Sequence, residues 1–204
     1  MSNSVYPDSV EPEFYPGTNV FINLLSIQDA KKLSKAEADF TAIRTIELLQ
    51  QTTLLPQIFD FNHLKAIHCY LFQDLYCWAG KPRSYDVKKG HNEFTPASFL
   101  PKYEKQVFCR AIDFHHEPAR LNKSLTAKRL ASCLGIINIF HPFVEGNGRT
   151  QRVFISALAN QFDYSVNWSE ASPWEIVETS KQVHVGNYEP LEWLMKRILV
   201  DGAG

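Results

Sequence analysis

No stretch of this 204-residue sequence stays apolar for long: runs such as LGII stop far short of the ~20 residues a membrane-spanning helix needs. An excess of one charge sign is missing too. Lys and Arg number 21 against 22 Asp and Glu, a net charge of −1, so no global field draws the chain to DNA or an anionic membrane. Any phosphate binding must be local. The four cysteines, Cys69, Cys77, Cys109 and Cys133, form no C-x-x-C pair and have no histidine-rich run beside them, which argues against a zinc site or a disulfide framework. All four fall in helix-like stretches and are expected to be small buried thiols in a reducing compartment. The opening residues, MSNSVYPDSVEPEFYPGTN, lack the basic start and apolar core of a signal peptide. A cytoplasmic protein is expected, with delivery into another cell left open. No repeat, low-complexity tract or linker appears, so the chain is read as one domain over 26–200 preceded by an irregular arm over 1–25.

What is present is mostly helical patterning on an ordinary composition of 45% hydrophobic and 21% charged residues. Leu33, Ala36, Phe40, Ile43 and Leu48 recur at helical spacing over 28–50. Asp60 is placed to cap a second helix carrying Leu64, Ile67, His68, Leu71, Phe72 and Leu75, which should end before Trp78. In KPRSYDVKKGHNEF, residues 81–94, Tyr85 and Val87 alternate with polar neighbours and Gly90 interrupts, so this segment is read as the only hairpin. Thr95 and Pro96 should open a helix running to about His115, and 124–140 should form another with an apolar face of Leu130, Leu134 and Ile137. A helix with Val153, Phe154, Ala157 and Leu158 follows. Ser172-Pro173-Trp174-Glu175 spells a capping box, and a last helix carries Leu191, Leu194, Ile198 and Leu199. The predicted fold class is an all-α, mostly helical bundle with one small β-hairpin.

Between two of these helices lies HPFVEGNGRTQR, residues 141–152. Pro142 discourages continuation of the preceding helix, and Gly146 and Gly148 permit backbone angles other residues resist. A helix starting near Asn147 would offer successive free N–H groups as an anion nest, reinforced by the positive end of its dipole. Arg149 and Arg152, three apart, would share a helix face and reach phosphate oxygens. Glu145 suits Mg²⁺ bound mainly through substrate phosphates, and His141 could take a proton from an attacking hydroxyl. Residue chemistry alone leaves two readings open, a phosphate-transfer site and a polar structural turn.

The stretch matches, position for position, the signature His-Pro-Phe-x-Asp/Glu-Gly-Asn-Gly-Arg-x-x-Arg, and the chain resembles the Fic (Fic/Doc) family. YPGTNV, FDFNHLKAIHCYLFQDLYCWAGKPRSYDVKKG and the segment after the motif extend the resemblance to a stand-alone bacterial member over nearly the whole chain. The resemblance implies a protein adenylyltransferase that moves AMP from ATP to a Ser, Thr or Tyr hydroxyl and releases pyrophosphate. It implies that His141 is the general base and that Glu145 holds Mg²⁺. It further implies that Gly146, Asn147, Gly148, Arg149, Thr150, Gln151 and Arg152 bind the nucleotide, Asn147 near the α-phosphate and the arginines on the β- and γ-phosphates, while Phe143 anchors the loop. A flap over about 83–95, with Asn92, Glu93, Phe94 and Thr95 nearest the nucleotide, would hold the target segment by backbone pairing.

Alternatives within the resemblance are transfer of UMP, GMP, phosphate or phosphocholine, although the intact Gly146 favours nucleotidyl transfer. An inactive Fic module serving as a binding surface is a further alternative, and a helix-turn-helix DNA binder is disfavoured by the charge. His63 and His68 are five apart and do not share a face as metal ligands would. His115-His116-Glu117 reads as a solvated helix end, and Trp168, Trp174 and Trp193 as core or interface anchors. The inhibitory pattern Ser/Thr-x-x-x-Glu-Gly/Asn found in many Fic proteins has no clear match: Ser180 is followed by His184, Thr179 by Val183, and Ser9 by Glu13 and then Phe14. That implies a toxin restrained by a separate small antitoxin supplying the glutamate in trans.

Overall fold

The computed structural model describes residues 6–89, 92–117 and 121–202, with Lys89, Asn92 and Glu93 entering as backbone alone. Helix α1 (Ala30–Gln50) starts where the Asp29 side chain accepts the Lys32 N–H, and α2 (Phe61–Phe72) starts where Asp60 accepts the His63 N–H. The hairpin is short: β1 (Lys88–Lys89) pairs antiparallel with β2 (Asn92–Glu93). Its predicted turn, residues 90 and 91, lies outside the described residues. A 3₁₀ turn over Ala97–Phe99 precedes α3 (Leu100–His115), so the regular helix begins at Leu100, with Pro101 in the first turn where its missing N–H costs nothing.

Helix α4 (Lys123–Phe140) is capped by Asn122 and buries far more than one face, including Thr126, Ala127, Leu130, Ala131, Cys133, Leu134, Ile137 and Phe140. A helix apolar nearly all round belongs at the centre of its bundle, and α4 packs against α3, against α5 (Asn147–Asn160), against α6 (Pro173–His184) and against α7 (Glu189–Ile198). Each buried Phe or Leu here contributes about 1.5–3 kcal/mol by leaving water. Truncating a fully buried residue such as Leu130 to Ala costs about 2–5 kcal/mol. Aromatic rings knit α2 to this centre: Phe61 meets Phe108 and Phe140 edgewise or tilted, at centroid distances of 5.6 and 5.3 Å. The capping box at Ser172 forms in full, with Ser172 and Glu175 exchanging side-chain and backbone bonds.

Three expectations are corrected. A second antiparallel pair, β3 (Tyr164–Val166) with β4 (Leu199–Asp201), joins segments separated by α6 and α7 and is no hairpin, and Leu199 ends the last helix rather than continuing it. Among the cysteines only Cys133 is buried. Cys69, Cys77 and Cys109 are exposed, and Cys77 lies in a turn rather than a helix. Of the expectation that the tryptophans anchor a core or an interface, the core half fails at Trp174 and Trp193, which are 70% and 67% exposed, whereas Trp168 is partly buried and donates its indole N–H to Ser156 at 2.9 Å. The arm over residues 6–25 carries no helix; it pairs with itself where Phe14 lies opposite Phe21, and with the domain where Val10 lies alongside Arg83.

Candidate active site

The loop from His141 to Gly146 is shaped by two left-handed residues at its ends. His141 ends α4 with φ 44°, and Gly146 precedes α5 with φ 79°. At Gly146 no other residue fits: a Cβ would stand 2.3 Å from the Phe72 ring, besides facing an unfavourable φ. Inside the loop, Phe143 is buried and stacks on His68 at 4.0 Å. Asn147, also buried, accepts the Phe143 N–H at 3.0 Å and donates to the Phe143 carbonyl at 2.7 Å. Its amide thus staples the loop. Thr150 is fully buried and returns its hydroxyl to the Gly146 carbonyl at 3.0 Å, so its expected nucleotide contact is not available to its side chain.

The start of α5 has no side-chain cap, and a Cβ at Gly148 would touch nothing closer than the Arg152 guanidinium at 3.5 Å. Open space therefore faces the N–H groups of the first turn, the arrangement that suits an anion. A cleft of about 640 Å³ opens here, of the size that takes a nucleotide. On one side it is lined by Phe94, Asn138, His141, Gly148, Gln151 and Arg152, and on the other by Trp168 and by Pro173, Ile176, Val177, Ser180, Lys181 and His184 of α6. Among the described residues Arg152 makes no ion pair. Burial, and secondarily the neighbouring Arg149 charge, lower its pKa, the signature of a guanidinium lacking its anion. The buried Nε2 of His184 likewise has no partner among the described residues.

His141 lies flat against Phe94, ring centroids 3.7 Å apart. Its Nδ1 is 3.3 Å from the Asn138 carbonyl, so a neutral ring there carries its proton on Nδ1 and its lone pair on Nε2. Its carbonyl accepts from Arg83 Nε at 2.9 Å.

Arg83, fully buried and missed by the sequence reading, also donates to the carbonyls of Tyr85 and Thr95, and its own N–H donates to Pro142 at 2.8 Å. One guanidinium thus ties both stems of the flap to the histidine, and burial pushes its pKa down to about 10. Thr95 is tied in addition to the Ile139 carbonyl, by N–H at 2.9 Å and hydroxyl at 3.2 Å. Of the predicted flap residues, then, Phe94 and Thr95 reach the histidine end of α4, and Asn92 and Glu93 form the backbone of β2.

Arg149 does not line this cleft. It turns to a second cavity of about 460 Å³, lined by Glu37, Tyr76, Glu145 and the arm residues Asn19, Val20 and Phe21. There it pairs with Glu37 at 2.6 Å and Glu145 at 3.3 Å, and lies over the Phe72 ring at 4.8 Å. The two arginines expected on one face therefore diverge. Glu145 is half exposed: its Oε1 accepts from Gly146 N–H at 2.8 Å and from Arg149, while Oε2 has no partner among the described residues. One outward carboxylate oxygen is the usual protein share of a Mg²⁺ that arrives with phosphates, so the donor set fits that ion.

His68 is a further residue the sequence reading set aside. Its Nδ1 accepts the Gly80 N–H at 2.7 Å, so the neutral ring carries its proton on Nε2 and donates it to the Glu145 carbonyl at 3.0 Å. No local signal marks this role.

A helical domain with a histidine at one lip of an uncapped, glycine-opened helix start, and a guanidinium one turn along that has no ion pair among the described residues, has the geometry that suits a phosphate-bearing ligand. The sequence model of the Fic/DOC family matches residues 58–159, and the chain belongs to that family. It is 34% identical over 196 residues to the protein adenylyltransferase VbhT of Bartonella schoenbuchensis, covering 96% of this chain but 40% of that relative. The chain thus spans less than half of VbhT. It is 32% identical to the probable protein adenylyltransferase y4lH of Sinorhizobium fredii, covering 93% of this chain and 96% of that one. Among solved structures, the BepC protein of Bartonella tribocorum with bound AMPPNP superposes with a TM-score of 0.82 at 22% identity, covering 93% of this chain and 97% of that one. That likeness shows the fold. Among the described residues, no helix is long and apolar enough to cross a membrane.

Proposed function

We propose that this chain is a protein adenylyltransferase using ATP as co-substrate. The observation that carries the reading is the unpaired Arg152, which shares one cleft with His141 and the open start of α5. The relatives named above, at 32–34% identity, bear the same activity in their names.

In this reading the triphosphate lies along the α5 N-terminus, with the first-turn N–H groups and Arg152 directed at the charge that develops on the phosphate oxygens. Arg149 helps through its charge from the adjoining cavity. The apolar wall of Ile176 and Val177, with Ser180 and His184 beside it, receives the base and sugar. His141 Nε2 takes the proton from a target Ser, Thr or Tyr hydroxyl. The oxygen attacks the α-phosphorus, the bond to the β-phosphate oxygen breaks, and pyrophosphate leaves. Glu145 would hold Mg²⁺, which when bound supplies neutralisation of the phosphate charge. Extended backbone at β2 offers a sheet edge to the target segment.

The same open guanidinium suits a carboxylate as well as a phosphate. A glutamate supplied by a separate small protein would occupy Arg152 and exclude the γ-phosphate, so the chain acts as a cytoplasmic toxin released from an antitoxin.

The test uses ATP labelled at either the α- or the γ-phosphate, incubated with purified chain and a bacterial lysate. Protein label from the α position alone is expected, and label from the γ position alone would sink the reading. His141→Ala should lower the rate about 10²–10⁴-fold with ATP affinity retained.

A further inference from the structure

Arg149 is held between two carboxylates that differ in kind. Glu145 is on the loop and its side chain is 49% exposed, whereas Glu37 comes from α1 with its side chain 13% exposed. Glu37 is also gripped from its other side by the hydroxyl of Tyr76, which is itself buried at 1% exposure. A carboxylate fixed at both oxygens by a buried phenol and a guanidinium is pre-organised and cannot follow the arginine outward. The contact lengths agree, 2.6 Å to Glu37 against 3.3 Å to Glu145.

The consequence falls on Glu145. An Arg149 without Glu37 would pair fully with Glu145, covering its oxygens with donors. Its positive charge would then stand directly against any cation placed there. We propose that Glu37 is a positioning residue: it takes Arg149 as its own counter-ion and so keeps the Glu145 carboxylate available to the divalent cation that accompanies the nucleotide. The inference rests on the reading of Glu145 as the cation-holding group. The opposite role, in which Glu37 withholds Arg149 from the phosphates as a brake, predicts effects of opposite sign.

The experiment follows retention of Mn²⁺ by the free-ion electron paramagnetic resonance signal, in the presence of a non-hydrolysable ATP analogue, so that turnover plays no part. Glu37→Gln should weaken the apparent Mn²⁺ affinity about fivefold, while in an Arg149→Gln background the same change should shift it by less than about twofold. Tyr76→Phe, which keeps the Glu37 charge but loosens its anchor, should move the affinity in the same direction by a smaller factor and serves if Glu37→Gln folds poorly. Unchanged or tighter Mn²⁺ binding in Glu37→Gln would overturn the proposal. So would a weakening that persists at full size without Arg149, since that would be a bulk charge effect. Glu145→Gln separates the two readings: if it leaves Mn²⁺ retention untouched, the assignment of Glu145 fails independently of Glu37.

Discussion

Two histidines packed inside this domain, His63 and His68, are kept neutral by burial. Desolvation pushes the His63 pKa down to about 4 and the His68 pKa down to about 3. The bond to the Glu145 carbonyl opposes the second shift, and the Arg149 charge adds to it. An unfolded histidine titrates near 6.5. Below that pH the unfolded chain binds protons that the folded chain refuses, so this contribution to stability is full above pH 6.5 and is lost as pH falls. At pH 5 each histidine should cost about 2 kcal/mol relative to pH 7.5. Urea unfolding midpoints across that range check this, and His63→Gln or His68→Gln should each flatten the profile by its own share. Neither role was legible in the sequence, where a histidine among apolar helix positions says nothing of what its two nitrogens meet. Glu37 was equally hidden, since in AKKLSKAEADF it and Asp39 are two acids among lysines on an exposed helix and only packing against α5 singles Glu37 out. The motif loop, by contrast, was legible as a helix–loop–helix junction because its neighbours in sequence are its neighbours in space, whereas the turn of Arg149 away from Arg152 toward Glu37 was not.

At the scale of elements, Asp60 and the Ser172 box marked their helix starts through residues within three positions, while Asp29 and Asn122, which cap as locally, were not singled out. The pairing of β3 with β4 was not readable. Leu199 continues the apolar spacing of Leu191, Leu194 and Ile198, and only the partner strand at Tyr164–Val166 turns it into extended backbone. The flap falls between these cases, its position readable and its attachment not. Arg83 supplies that attachment, bonding the carbonyls of Tyr85, Thr95 and His141. Replacing it with Met fills similar space but leaves three carbonyls without their donor, at about 1–3 kcal/mol for each that water cannot reach. Arg83→Met should therefore lower the unfolding free energy by several kcal/mol. Its flap should dock loosely, so kcat/KM for the target protein should fall at least about tenfold. The affinity for ATP, which the proposed function assigns to Arg152 and the α5 start, should change much less. Arg83→Lys, with one ammonium for three acceptors, should lie between Met and wild type. Equal losses in ATP and target binding would mean that Arg83 supports the whole loop rather than the flap.

Across the whole molecule, the motif loop separates two cavities. The cleft with His141 and Arg152 is closed by α6, and the cavity with Glu145 and Arg149 by α1 and the arm. The arm's grip is aromatic and specific. Phe21 stacks with Phe14 at 4.6 Å and meets Tyr76 and Trp78 edgewise at 6.3 and 5.7 Å, while Leu24 N–H donates to the Leu75 carbonyl at 2.9 Å. Phe21 thereby braces the tyrosine that holds Glu37, placing the arm at one end of a contact chain that runs through Tyr76, Glu37 and Arg149 to Glu145. Because the arm has few buried contacts of its own, it should open locally before the helices unfold. Phe21→Ala removes a half-buried aromatic and should cost about 1–3 kcal/mol, read as a lower urea midpoint at unchanged m. Limited proteolysis should then cut within residues 6–25 faster than in wild type, leaving the helical domain whole. An arm that merely covers the surface would show those two effects and nothing more. An arm that braces Tyr76 should also weaken Mn²⁺ retention in the presence of the nucleotide analogue, by about twofold to threefold and in the same direction as Tyr76→Phe. If the arm is cut faster while Mn²⁺ retention stays at the wild-type value, the chain of contacts ends at Phe21.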